Sequence, residues 1–322
     1  MLFDLSIDEL RKFKPDRKEP ADFDTFWDKT ISEAKDYDLN PVFIQKDFGL
    51  TLFETYDVQF NGYAGQPIKG WFILPKNYKM PLPCVVEYIG YGGGRGFPTD
   101  WLLFPSAGFS TFIMDTRGQG SSWSAGDTSD IPAEGSSPHY PGFMTLGVLD
   151  PQTYYYRRLY TDAFRAVETV KSHPSVDKTK IAITGISQGG GITIAMSGLV
   201  KGLSAVLPDV PYLCNFQRAV TITDELPYYE ISRYLRVHRD KADKLFNTLA
   251  YFDGMHFAAR ADAPAFFSTA LMDTICPPST VFSAYNHYGG KKKIEVYEFN
   301  LHDGGGSHHE IKKVKFLKNL WN

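Results

Sequence analysis

One short run constrains this chain more than any other feature. The β-branched stretch Ile181-Ala182-Ile183-Thr184 passes at once into Gly185-Ile186-Ser187-Gln188-Gly189, and a helical pattern follows over 190–200. A strand that becomes a helix through two glycines flanking a serine has to turn sharply. The small neighbours let the strained backbone close, and the turn lifts the serine hydroxyl above the sheet edge beside the positive end of a helix. The five residues alone match many surface turns, but the strand before them and the helix after them supply the context of a nucleophile elbow. A phosphate loop would place a lysine after the glycines, and a dinucleotide site would space its glycines differently; neither pattern is present.

The rest of the chain repeats the same rhythm. Strands read at 84–89, 111–114, 181–184, 205–207, 265–271 and 294–299, with helices over 155–170, 190–200 and 310–320. A helix over 22–37, with Phe26, Trp27, Ile31 and Ala34 on one stripe, and a hairpin of 54–60 with 68–74 precede them. A helical insertion is expected at about 215–261. The Gly/Ser/Pro-rich excursion 121–151 carries few helix signals, and a stretch so long is usually functional or an assembly element. Such alternation predicts an α/β class: a single domain over 1–322 of the α/β-hydrolase fold, its mostly parallel central sheet flanked by helices, with an N-terminal extension. Ligands then bind at the carboxyl ends of the strands.

Composition narrows the function classes. With 43% apolar residues the 322-residue chain can bury a large core, and its formal charge of −3 comes with scattered rather than striped basic residues. That argues against nucleic acid as a partner. Lys291-Lys292-Lys293, after Gly289-Gly290, reads as a solvated turn. No stretch is apolar enough for a membrane span or an export signal, so the expectation is a cytoplasmic protein with Cys84, Cys214 and Cys276 as reduced thiols.

A serine alone is a weak nucleophile and needs a base with something to orient it. For an elbow of this kind the chain order is serine, acid, histidine. His302 fits, in the loop Asn300-Leu301-His302-Asp303-Gly304-Gly305-Gly306 after the last strand. His139 and His173 precede the serine, His238 and His256 lie in the insertion, His287 is on a helix, and His308 and His309 begin the last helix. Two acids compete. Asp273 ends the penultimate strand in Met272-Asp273-Thr274-Ile275-Cys276-Pro277-Pro278, where the first turn of the following helix would help hold a carboxylate; Asp209 is the alternative. Backbone N–H groups of Gln188 and, from the loop Gly90-Tyr91-Gly92-Gly93-Gly94, of Tyr91 are the candidate oxyanion donors. Arg117-Gly118-Gln119 reads as a structural brace and Cys276 as a packing thiol. The run His302-Asp303 with His308-His309-Glu310 matches no zinc spacing, so neither metal nor cofactor is expected.

Arg117-Gly118-Gln119, Gly185-Ile186-Ser187-Gln188-Gly189 and the late His302 together resemble the signature of carbohydrate esterase family seven, the acetyl xylan esterases that also act as cephalosporin C deacetylases. The likeness runs over nearly the whole chain, including Asp-Phe-Asp-Thr-Phe-Trp near the start and Tyr-Ile-Gly-Tyr-Gly-Gly-Gly-Arg-Gly. The family usually has His-Glu at its third motif, where this chain has His302-Asp303. The resemblance implies a triad of Ser187, Asp273 and His302, oxyanion donors Tyr91 and Gln188, and a small acyl pocket selecting acetate with Tyr91 and Pro227 as walls. It also implies a small acetylated sugar as substrate and a hexamer with sites facing an internal cavity, in which the 121–151 excursion has an assembly role.

Two rivals share the elbow. A prolyl-oligopeptidase-like peptidase has the same triad order but usually an N-terminal propeller, for which this chain lacks the length. A non-catalytic scaffold would bind small molecules and leave Ser187 inert; a complete serine, acid and histidine set argues against it.

Overall fold

The computed structural model describes residues 4–131 and 137–321, so part of the 121–151 excursion lies outside the described residues. The strands are β1 (Val42–Lys46), β2 (Phe53–Asn61), β3 (Pro67–Pro75), β4 (Leu82–Tyr88), β5 (Ser110–Met114), β6 (Val176–Ile186), β7 (Ala205–Asp209), β8 (Ala265–Ala270) and β9 (Lys292–Tyr297). They form one sheet in the order β1-β2-β3-β5-β4-β6-β7-β8-β9. Short connections make β1, β2 and β3 antiparallel, and β3 also meets β5 antiparallel. From β5 through β9 every pairing is parallel, as helical crossovers require. This is the expected α/β-hydrolase architecture.

The helices are α1 (Ile7–Lys12), α2 (Phe23–Lys35), α3 (Leu103–Ser106), α4 (Tyr155–Ser172), α5 (Gln188–Leu199), α6 (Phe216–Ile222), α7 (Tyr228–Val237), α8 (Ala242–Leu249), α9 (Gly254–Ala258), α10 (Pro278–His287) and α11 (Gly306–Trp321). The anticipated insertion is α6 to α9. Successive residues of β4 and β6 point into different cores. Val86 and Ile183 pack with Tyr156 and Leu159 of α4, while Val85 and Ala182 pack with Phe104 of α3 and Leu317 of α11. A sheet covered on both faces explains why its strands read as continuous apolar runs. The chain leaves β4 through α3 on one face and returns from β5 through α4 on the other. The crevice between those departures lies at the carboxyl ends of β4 and β6, where Tyr91 and Ser187 sit.

Three local readings change. Helix α11 begins at Gly306, not near 310, so His308 and His309 lie within its first turn. Lys292 and Lys293 are not a solvated turn: they open β9, paired with Ala265 and Phe266 of β8. Strand pairing outweighs their polarity because an edge strand tolerates lysines, and Lys293 Nζ sits 3.8 Å over the Phe266 ring. The exposed strand β1 and the helix α1, closed by a Ser6–Glu9 capping box, carry no strong apolar pattern.

Arg117 is the brace its motif suggested. Its fully buried guanidinium forks onto Asp162 of α4 and also reaches Asp130, which Arg158 holds at 2.8 and 2.7 Å. The excursion is thereby tied to α4 through paired buried charges, an arrangement that fails if one partner is lost. Among the described residues no helix is long and apolar enough to cross a membrane, and the three cysteines are unpaired and buried.

Candidate active site

Ser187 occupies the turn between β6 and α5 with φ 58° and ψ −117°, a region that L residues rarely enter. Three backbone hydrogen bonds hold it there: its N–H donates to Asp209 O at 3.0 Å, and its carbonyl accepts from Gly191 and Tyr212, each at 2.9 Å. The glycines answer a packing demand as well as a conformational one. A Cβ on Gly189 would lie 2.1 Å from the Tyr88 carbonyl oxygen, so the elbow seats against β4 only with hydrogen there. Ser187 itself is 8% exposed.

His302 Nδ1 lies 2.9 Å from Asp273 Oδ2. Asp273 is fully buried, and its other oxygen accepts the N–H groups of Ile275 and Cys276 at 2.9 Å each. Those donors belong to the loop before α10, not to the first turn of that helix as the sequence suggested. The carboxylate is therefore fixed on one side by backbone and presents its other oxygen to the imidazole. Asp209, the competing acid, is committed elsewhere. Lys313 Nζ of α11 reaches it at 2.5 Å, Ser268 donates to it at 3.2 Å, and His309 Nε2 lies 3.0 Å away. Burial alone would raise the Asp209 carboxyl, but Lys313 and His309 hold it below its usual value. Asp303 stands outside the cluster, accepting from Asn300 at 2.8 Å.

Cys276 packs fully buried, as expected of it, but in a place the sequence did not reveal. Its sulfur and one ligand atom each from Asp273 and His302 all lie within 4.8 Å of one another. The Ser187 hydroxyl meets this thiol, and among the described residues no hydrogen bond yet joins it to His302. Catalytic hydrogen bonds commonly tighten only around substrate. Burial, then the Asp273 charge, pushes the thiol well above its ordinary range, so it stays a neutral neighbour.

The backbone N–H groups of Tyr91 and Gln188 donate to no protein acceptor among the described residues. Gly90 to Gly93 is a turn closed by Gly93 N–H to Gly90 O at 3.2 Å, with Gly92 at φ +78°, which only glycine adopts cheaply. Gln119 spans the two donor segments: its Oε1 accepts from Gly92 N at 2.7 Å and its Nε2 donates to Gln188 Oε1 at 2.9 Å. Tyr156 supports Gln188 at 3.0 Å. The third residue of Arg117-Gly118-Gln119 thus sets the spacing of the two free amides.

Tyr91 is clamped by a residue the sequence reading passed over. Its hydroxyl donates to Glu230 Oε1 of α7 at 2.6 Å and accepts from Phe143 N at 2.6 Å, while Glu230 Oε2 accepts from Met144 N at 3.0 Å. Burial raises the Glu230 carboxyl to about 7 against the pull of these donors. The available signal was periodicity: Glu230 shares a helical stripe with buried Pro227 and Tyr234, and a carboxylate on an apolar face needs a partner. Pro227, buried, opens α7 one turn before it.

Comparison with known proteins shows the family. A model of the family Acetyl xylan esterase (AXE1) matches residues 1–320. The acetyl xylan esterase from Paenibacillus sp. R4 superposes with a TM-score of 0.93 and 37% identity, over 98% of this chain and 99% of that one. Acetyl xylan esterase 1 from Thermoanaerobacterium sp. JW/SL YS485 gives a TM-score of 0.91 at 28% identity, over 99% and 100% of the two chains. The acetyl esterase Axe7A of Xylanibacter ruminicola is 24% identical over 296 residues, covering 90% of this chain, which spans 65% of that relative's length.

Two outcomes follow from the bracing. Gln119→Ala unties the two amides and is expected to lower kcat/KM on an acetyl ester about tenfold to a hundredfold, short of deleting a donor outright; unchanged kinetics would show that the spacing is set elsewhere. Burial lifts the Glu230 carboxyl from 4.5 to about 7, so the folded chain holds this proton more tightly than the unfolded one. Its contribution to stability is complete below about pH 4.5 and lost as the pH rises through about 7. Denaturant titrations should show a shallower loss across that window for Glu230→Gln than for the wild type; equal slopes would rule Glu230 out as the source.

Proposed function

The chain belongs to the acetyl xylan esterase family, and from that premise we propose that it is a serine esterase that removes acetyl groups from small acetylated carbohydrates, xylo-oligosaccharides in particular. One observation carries this reading: the buried Cys276 thiol lies within 4.8 Å of the paired Asp273 and His302 and beside the strained Ser187, while the Tyr91 and Gln188 amides have no protein acceptor among the described residues. In this reading Ser187 Oγ attacks the ester carbonyl while His302 Nε2 takes its proton. Asp273 fixes the imidazole tautomer and stabilises the imidazolium without taking the proton. The Tyr91 and Gln188 amides receive the oxyanion, which is where such sites gain most of their rate. His302 then returns the proton to the sugar oxygen, and water, activated by the same imidazole, releases acetate.

The acyl side is short. Tyr91, held by Glu230 and packed against Phe143 at 5.8 Å between ring centres, and buried Pro227 are its proposed walls, and the family resemblance supports a pocket that takes a methyl group rather than a chain. The same preference would extend to the acetyl ester of cephalosporin C. A hexameric assembly and a cytoplasmic location complete the proposal and rest on the family resemblance and the sequence.

Acetate release from acetylated xylo-oligosaccharide and from 4-nitrophenyl acetate tests the reading. The wild type is expected to turn over both, and Ser187→Ala to fall by about a millionfold or to background. Each methylene beyond acetyl should cost roughly 1–3 kcal/mol in the filled pocket, so butyryl esters should be cleaved at least about tenfold more slowly. A mutant of near-normal activity would remove Ser187 from the mechanism, and comparable hexanoyl turnover would remove the small pocket.

A further inference from the structure

On the opposite side of the elbow from Tyr91's clamp lies a cleft of about 450 Å³ that the mechanism has not used. It opens at the carboxyl ends of β4 and β6, between α3 and the first turns of α11. Gly90 and Ile186, which immediately precede the oxyanion donor Tyr91 and the nucleophile Ser187, form its inner border. Whatever occupies it therefore lies against the residues that lead into Tyr91 and Ser187.

Its lining has a definite chemistry. Trp123 is 59% exposed yet fixed: its indole N–H donates to the Tyr91 carbonyl at 2.9 Å and its ring rests on Gly93. Trp101 is likewise anchored, by Nε1 to Arg95 O at 2.7 Å. Rigid indoles anchored by their N–H groups offer flat apolar faces at low entropic cost. Opposite them stand Glu87 of β4 and Glu310 of α11, whose carboxylates make no side-chain hydrogen bond among the described residues. Burial raises Glu87 to about 7 despite the nearby Lys313. Lys313 itself is not free to bind a ligand, since Asp209 and Thr184 hold its ammonium.

Fixed aromatic faces beside unpartnered hydrogen-bond acceptors suit a molecule with apolar C–H faces and a rim of hydroxyl donors, which is a neutral pyranose ring. We propose that this cleft is the subsite for the sugar that carries the ester, with Trp123 as its stacking platform and Glu87 and Glu310 as acceptors for sugar hydroxyls. This deepens the deacetylase reading and rests on it. Acetate is released on the Tyr91 and Pro227 side and the deacetylated sugar leaves through the Trp123 side. The carboxylates also set a preference: neutral xylosyl units enter, and units bearing a carboxylate are repelled.

Kinetics on paired substrates test the subsite. Trp123→Leu and Glu310→Ala are compared with the wild type on acetylated xylo-oligosaccharide and on 4-nitrophenyl acetate, which has no sugar. Among the described residues the Glu310 side chain makes no hydrogen bond, so its truncation keeps the proposal testable should the tryptophan variant fail to fold. The expected result is a loss of kcat/KM at least tenfold larger on the oligosaccharide than on the nitrophenyl ester, carried mainly by KM. Unacetylated xylo-oligosaccharide should inhibit the wild type competitively and the variants much more weakly. If the wild type deacetylates the oligosaccharide and both variants lose equally on the two substrates, or lose nothing, the subsite is overturned while the deacetylase reading stands. If the wild type cleaves only the nitrophenyl ester and the oligosaccharide neither reacts nor inhibits, the deacetylase reading falls and the subsite with it.

Discussion

The seating of the elbow against β4 is the constraint on which the site depends. Ser187 holds a backbone conformation that costs of order 1–3 kcal/mol, and it persists because the surroundings leave no alternative. Gly189 presses on the Tyr88 carbonyl, Asp209 O receives the serine N–H, and Tyr212 and Gly191 return hydrogen bonds to its carbonyl. Because the elbow and the Gly90 turn both spring from neighbouring strands, fixing one fixes its distance from the other. Gln119 then ties the two segments, through the Gly92 backbone on one side and the Gln188 side chain on the other. In the proposed mechanism this geometry is a by-product of sheet packing, and the two amides would need no reorganisation when charge develops between them.

Around that frame the buried charges are sorted into separate groups. Asp273 is satisfied by two backbone amides and the His302 imidazole. Asp209, only one strand away, faces Lys313 and His309. The second group anchors α11, whose start follows directly from the His302 loop, so the pairing of Asp209 with Lys313 also holds the histidine's connection in place. Glu230 forms a third group, a carboxylate satisfied by a phenol and a backbone amide that joins the α6 to α9 insertion to the oxyanion turn. One carboxylate thus links an element that decorates the sheet to the turn that carries Tyr91.

Much of this could be read from the residues, and the gaps have physical reasons. The strand, Gly-x-Ser-x-Gly and helix succession located Ser187 and the sheet because local propensity and tertiary role coincide there. His302 followed from its loop after the last parallel strand. The preference for Asp273 over Asp209 came from the loop before α10, since both acids follow a strand; in the fold Asp273 meets His302 and Asp209 meets the buried Lys313. Lys292 and Lys293 misled because polarity suggests a turn, whereas pairing with β8 stretches them into an edge strand. Cys276 was legible as buried but not as a neighbour of Ser187, because sequence shows burial more readily than adjacency across elements. Trp123 hid in a segment of weak pattern, where only the fold reveals that its indole lies on the oxyanion turn.

The central claim is that Ser187 is the activated nucleophile and that His302 activates it. The most direct measurement is mass-spectrometric mapping of the covalent adduct after treatment with a 4-nitrophenyl phosphonate ester. The account predicts a single adduct on the peptide containing Ser187, formed by the wild type and suppressed in His302→Ala. An adduct on another residue, or acetyl-ester hydrolysis that survives with Ser187 unmodified, would contradict it.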